Sequence, residues 1–123
     1  MTTATLQARG IDASYYMTKD LAKATAYYSE LLGIEPSMHV PGVVTEYTFP
    51  GGETFGIYQP GGDGFYTSGG VMFAVDDVAA FVAAASARGV AFDDGGNVSE
   101  QPTCQMAFGT DPEGNHFIIH KRK

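Results

Sequence analysis

The feature that most constrains this chain is that one order of elements occurs twice. A strand-like segment at residues 11–18 leads into a helix that stops at Gly33. A second, at residues 71–75, leads into a helix that stops at Gly89, about 56 residues later. Leu21, Ala24, Tyr28, Leu31 and Leu32 recur at helical spacing in the first helix; Val78, Phe81, Val82 and Ala85 do so in the second. Asp20 and the pair Asp76-Asp77 stand at the N-terminal ends, where the helix dipole favours a carboxylate, and each glycine suits a left-handed stop. Strand-like segments follow each helix: residues 37–40, 43–49 and 54–58 after the first, and 90–92, 104–109 and 115–120 after the second. The pattern is a βαβββ unit repeated in structure though diverged in letters.

The second unit is closed by Gly109-Thr110-Asp111-Pro112-Glu113-Gly114-Asn115, a tight reversal in which Pro presets φ and Gly accepts a backbone shape that most side chains refuse. The last apolar strand must pair with earlier ones, which gives an α+β fold of two tandem βαβββ modules. The expected organisation is one domain over residues 1–123, with module 1 at about 9–60 and module 2 at about 69–121. The glycine-rich connection at residues 60–69 is too short, and with Phe65 and Tyr66 too aromatic, to be a mere tether.

At 123 residues the chain is long enough for one core and too short for two. Its net charge of -7 argues against a nucleic-acid partner, which would call for a basic stripe, and suits attraction of cationic ligands. Three of its seven basic residues, Lys121, Arg122 and Lys123, are gathered at the end of the sequence. No apolar run approaches the roughly 20 residues of a membrane span. Residues 1–5 show no export signal, and the single Cys104 has no partner for an internal disulfide, so cytoplasmic residence is expected. The glycines near Gly61 and Gly95 form neither a phosphate loop nor a dinucleotide fingerprint. Cys104 reads as a small apolar group, and the acidic pairs Asp76-Asp77 and Asp93-Asp94 read as a helix start and a loop.

Taken together, Lys19-Asp20-Leu21, Tyr27-Tyr28, Leu32-Gly33, Val75-Asp76-Asp77, Arg88-Gly89 and the Asp111-Pro112-Glu113-Gly114-Asn115 turn resemble the vicinal oxygen chelate superfamily. That superfamily includes glyoxalases, extradiol dioxygenases and bleomycin resistance proteins. The resemblance spans residues 11–120 and implies a homodimer with cavities between βαβββ sheets. In the metal-dependent members each unit supplies one ligand from its first strand and one from its last. Carried over by position, these four places fall on Ala13, Gly56, Gly70 and Ile118, none of which offers a donor to a divalent ion. The resemblance therefore implies neither metal nor other cofactor. His116 and His120 share a face of the last strand, but their α-carbons are about 13 Å apart at strand rise, too far to hold one ion together.

Strand alternation puts Ala13, Tyr15 and Met17 on the ligand side, with Gly56 and Tyr58, Gly70, Met72 and Ala74, and His116, Ile118 and His120. Small residues stand where ligands stood, and the space is lined by Tyr15, Met17, Tyr58, Met72 and Ile118, a mixture suited to a flat, partly apolar molecule. Phe65 and Tyr66 are the expected lid, and His120 or Glu46 the polar contact. The function this implies is sequestration of a small aromatic or cationic compound, such as an antibiotic, by a metal-free binder. The alternative is an enzyme of the same fold, a lyase, isomerase or dioxygenase-like protein, with a relocated metal site or with His116, His120 or Glu46 carrying a proton; no catalytic residue is singled out.

Overall fold

The computed structural model describes residues 6–7 and 9–123. Residues 1–5, read above for an export signal, lie outside the described residues. The first unit comprises β1 (Ser14–Met17), α1 (Leu21–Leu32), β2 (Met38–Val40), β3 (Val44–Thr48) and β4 (Thr54–Tyr58). Its sheet runs β1-β4-β3-β2, with β1 parallel to β4 and the other pairs antiparallel. The second comprises β5 (Val71–Ala74), α2 (Val78–Ala87), β6 (Ala91–Phe92), β7 (Ser99–Glu100), β8 (Cys104–Thr110) and β9 (His116–Arg122). Here the order is β5-β9-β8-β6, the same path, with the short β7 also on β8. The repeat seen in the sequence is thus a repeat of topology. Several boundaries differ from expectation, β1 beginning at Ser14 rather than at residue 11. β9 runs on to Arg122, β7 lies in a stretch not read as strand, and the presumed loop at 93–97 contains the turn Asp93–Gly96, with Asp94 at φ 52.

Both helices begin and end as their sequences dictate. Asp20 accepts a hydrogen bond from the Lys23 N–H at 3.2 Å, and Asp77, rather than Asp76, accepts one from Ala80 at 3.0 Å. Such caps satisfy amides that the first turn leaves without partners, and each is worth about 1 kcal/mol. Gly33 adopts φ 70 and donates its N–H to the Ser29 carbonyl, a conformation that costs a side chain and costs glycine nothing.

One apolar core runs through both units: Tyr16, Leu21, Tyr28, Leu31, Tyr47, Phe55 and Ile57 from the first, and Phe73, Val78, Val82, Ala107, Phe117 and Ile119 from the second. Its aromatics meet largely edge to face; Phe55 and Phe73, one from each unit, have centroids 5.0 Å apart at 86°.

Polar ties across the units are concentrated on the β8–β9 turn. The Asp111 carboxylate, 7% exposed, accepts hydrogen bonds from the Tyr28 hydroxyl at 2.7 Å and the Asn115 side-chain amide at 2.9 Å. It also accepts from the backbone N–H groups of Glu113 and Asn115. Asn115 donates to the Met17 carbonyl and accepts from the Ser68 N–H, so it joins β1, the connection and β9. Glu113 takes the N–H groups of Lys19 and Asp20 at the start of α1. The segment that closes the second unit also fastens it to the first. Among the described residues no helix is long and apolar enough to cross a membrane.

Candidate functional site

Strand register assigns every side chain of each sheet to one of two faces. In the first sheet Tyr16, Phe55, Ile57, Thr45 and Tyr47 turn to the core. On the other face Tyr15 lies beside Gly56, Gly56 beside Glu46, and Glu46 beside Met38. The next row on that face is Met17, Tyr58, Val44 and Val40. In the second sheet Phe73, Phe117 and Ile119 turn inward, and Met72, Ile118 and Phe108 form a row on the outer face, next to a row of Ala74, His120 and Met106. The alternation read from sequence therefore holds on both sheets.

The two sheets turn their inner faces to one core, so their outer faces do not face one another. Tyr16 projects from the core side of the first sheet; its hydroxyl donates to the His116 carbonyl of β9 and accepts from the Val71 N–H of β5 at 3.0 Å. The second sheet must therefore lie on the core side of the first. The nine residues singled out for the ligand are divided accordingly, with Tyr15, Met17, Glu46 and Tyr58 on one face and Met72, Ile118 and His120 on the other. Phe65 and Tyr66 lie in the connection.

On the first face Tyr15 and Tyr58 meet edge to face with centroids 6.0 Å apart. The space left at Gly56 is occupied: a Cβ added there would fall 2.5 Å from the Tyr15 ring, so the glycine is the bed on which that ring lies. Met17 is buried, while Tyr15 remains 36% exposed. Phe65 lies under the Lys19 ammonium, which is 4.8 Å from its ring centroid; that contact anchors Phe65 beside the end of β1. Tyr66 stands out into solvent.

On the second face Met72 is 52% and Phe108 40% exposed. Met72 and His120 border a groove of about 320 Å³ with Thr103, Cys104, Arg122 and Lys123. Phe108, Met106 and, on the first face, Met38 and Val40 belong to these surfaces and were not singled out from sequence. Their parity follows from β2–β3 and β8–β9 pairing, and counting along β2 and β8 would have found them. Larger hollows lie elsewhere, including one of about 680 Å³ beside Asp76, Asp77 and Arg122. A second, of about 460 Å³, separates the C-terminal ends of the helices, where Arg88 pairs with Glu30 at 3.4 Å. Another of similar size lies between the β3–β4 turn and β5.

The four positions that the resemblance makes metal-binding do not fit a metal ion. Ala13, Gly56, Gly70 and Ile118 carry no donor atom, and the ring of Tyr15 fills the space at Gly56. Among the described residues no three His, Cys, Asp or Glu side chains are grouped to hold one. His116 contacts the Thr110 hydroxyl at 3.3 Å across the β8–β9 pair.

Hydrogen bonds from Lys123 and Gln105 hold the exposed Glu100 carboxyl below its ordinary value; the other perturbed groups are tyrosines packed in or against the core. Burial pushes the phenols of Tyr16, Tyr27, Tyr28 and Tyr47 above their ordinary value of 10.0. For Tyr28 the Asp111 charge and the hydrogen bond to it add to burial; for Tyr27 the Asp111 charge does. Tyr16, Tyr28 and Tyr47 are structural donors, held protonated, whereas the buried Tyr27 hydroxyl has no hydrogen-bond partner among the described residues; none of the four faces either outer surface.

Two βαβββ units around one core, each presenting an outward β-face, define a paired-module α+β protein. The chain belongs to the glyoxalase/bleomycin resistance protein/dioxygenase superfamily, whose model matches residues 10–119. Solved structures agree in fold. TnmS3, an antibiotic binding protein from Streptomyces sp. CB03234, is 22% identical with a TM-score of 0.80, the match covering 97% of this chain and all of the other (100%). Lactoylglutathione lyase from Agrobacterium tumefaciens is 16% identical with a TM-score of 0.75, covering 93% and 94%. TioX from Micromonospora sp. ML1 is 15% identical with a TM-score of 0.73, covering 90% and 97%. No curated protein matches the chain in sequence.

Proposed function

We propose that this protein is a metal-free binder that sequesters a small aromatic compound, such as an antibiotic, between the outer sheet faces of two copies. The observation that carries this reading is the Tyr15–Tyr58 pair bedded on Gly56, an aromatic surface where metal-dependent relatives would need a donor. A ring laid against these tyrosines gains area burial and edge-to-face contact, worth about 0.5–1.5 kcal/mol per aromatic pair beyond the area itself. Glu46 beside Gly56 offers a carboxylate to a cationic substituent, and the acidic body assists its capture.

The same surfaces support a homodimer. Tyr15, Met38 and Val40 on one face and Met72 and Phe108 on the other are 36–52% exposed, and a large partly exposed apolar patch marks an interaction surface. Apposing the first face of one copy to the second face of its partner, and the reverse about a twofold axis, would reunite Tyr58 and Glu46 with Met72, Ile118 and His120. The reading takes the chain as one cytoplasmic domain of two modules. That two members of its fold are described as an antibiotic binding protein and a lyase leaves binding and catalysis as the two classes to separate.

The test is a thermal-shift screen of planar and cationic antibiotics, repeated on Tyr15→Ala and Tyr58→Ala, with metal analysis of the protein after incubation with zinc, nickel, manganese and ferrous iron. Stabilising hits that both substitutions weaken, with no tightly held metal, are expected. One tight metal equivalent per chain, or turnover of a hit, would favour the enzyme. Hits indifferent to both tyrosines would remove the proposed face.

A further inference from the structure

The outer face of the second sheet is apolar at one end and cationic at the other. Met72, Ile118 and Phe108 form a row across β5, β9 and β8; the next row contains His120, and the one after it Arg122 beside Cys104. Alternation along β9 puts His116, Ile118, His120 and Arg122 on this one face, so Arg122 continues the surface that begins with the apolar row. The groove there is bordered by Met72, Thr103, Cys104, His120, Arg122 and Lys123.

These cations are not equally committed. Lys123 pairs with Glu100 at 2.7 Å and Arg88 with Glu30, whereas Arg122 makes no ion pair within 4.0 Å among the described residues. Arg122 also borders the neighbouring hollow that contains Asp76 and Asp77 without pairing with either. In a chain of net charge -7, an arginine left without a carboxylate partner on a ligand-sized surface is a fork of N–H donors facing solvent. His120 supplies a further N–H whichever protonation state it adopts.

We propose that this end is an anion subsite, so that the ligand is an aromatic compound bearing a carboxylate, sulfonate or ionised phenol, its rings against Met72, Ile118 and Phe108 and its anionic group on Arg122 and His120. The proposal deepens the small-molecule-binder reading and rests on it. It gives the second face a selectivity opposite to that of Glu46 on the first. A ligand spanning both faces carries groups of both signs.

The experiment uses two fluorescent probes that differ by one anionic group: anilinonaphthalene sulfonate and the uncharged N-phenylnaphthylamine. The purified protein should bind both and prefer the sulfonate, a preference that added salt reduces. Arg122→Gln should weaken the sulfonate about ten-fold, the scale of one lost charge-assisted hydrogen bond, and leave the uncharged probe unchanged. His120→Gln serves as the milder comparison, and Met72→Ala should weaken both probes. Equal affinity for the two probes, or an Arg122→Gln variant that binds both as before, overturns the anion subsite while the ring-binding face stands. Equal weakening of both by Arg122→Gln makes the arginine structural and overturns it as well. Failure of both probes to bind removes the ring-binding face together with the subsite, and failure of the sulfonate alone overturns the subsite.

Discussion

Replacing Tyr28 by Phe tests whether the Asp111 turn is what holds the two units in register. The substitution removes one atom. The ring keeps its contacts with Phe55 and Tyr27, each 5.1 Å away between centroids, and with Tyr16 at 6.5 Å. The hydrogen bond lost is 2.7 Å long, joins a residue 1% exposed to one 7% exposed, and ends on a carboxylate. Bonds to charged groups contribute about 1.5–3 kcal/mol. The low end applies, because the same Asp111 oxygen keeps the Asn115 amide at 2.9 Å and is not orphaned. A loss of about 1.5 kcal/mol follows, or a Tm lowered by about 5 °C for a chain of this size. Asp111→Ala removes four accepted bonds and strands the buried Tyr28 hydroxyl, so it should cost about 3–4 kcal/mol. Reversible urea unfolding followed by circular dichroism reads both, with the slope unchanged. The reasoning fails if Tyr28→Phe stays within about 0.5 kcal/mol of the parent, or if Asp111→Ala costs no more than Tyr28→Phe.

Two further outcomes can be checked. Gly56→Ala sets a methyl 2.5 Å from a half-exposed ring that is free to swing aside; stability should change by less than about 1–2 kcal/mol while affinity for any ligand stacked on Tyr15 and Tyr58 falls, and unchanged affinity in the screen would displace the site. Alkaline unfolding should be driven by the buried phenols. The folded-state values of Tyr16, Tyr27, Tyr28 and Tyr47 lie above 10.0, so the stability they contribute is complete below pH 10 and is lost as pH rises past it, where only the unfolded chain releases these protons. Tyrosinate absorbance should then rise for these four together with loss of structure; ionisation of all four in the folded protein would contradict it.

What was legible in the sequence was local. The caps Asp20 and Asp77, the stops Gly33 and Gly89, and the alternation that sets Tyr15, Tyr58, Met72 and Ile118 on outer faces all follow from residues within a turn or a strand of one another. Gly56 was read as space for a ligand, but what lies over it is Tyr15, brought alongside by a parallel pairing of strands about 40 residues apart in sequence. Asp111 and Asn115 announced a reversal; that their side chains also reach Tyr28, Met17 and Ser68 depends on how the units pack, and no spacing along the chain encodes that. The division of the ligand residues between two outward surfaces has the same origin. Ser99–Glu100 escaped notice because two residues are too few to alternate.

The chain contains seven tyrosines and no tryptophan, and the fold sorts the phenols by address. Tyr16, Tyr28 and Tyr47 are sealed in the interior, whereas Tyr15 and Tyr66 stand at the surface. Reagents that nitrate or iodinate phenols, which act on the ionised form, would therefore write on the outer sheet and the connection while sparing the interior. A bound ring lying over Tyr15 would erase part of that writing, so the protein carries its own footprinting label.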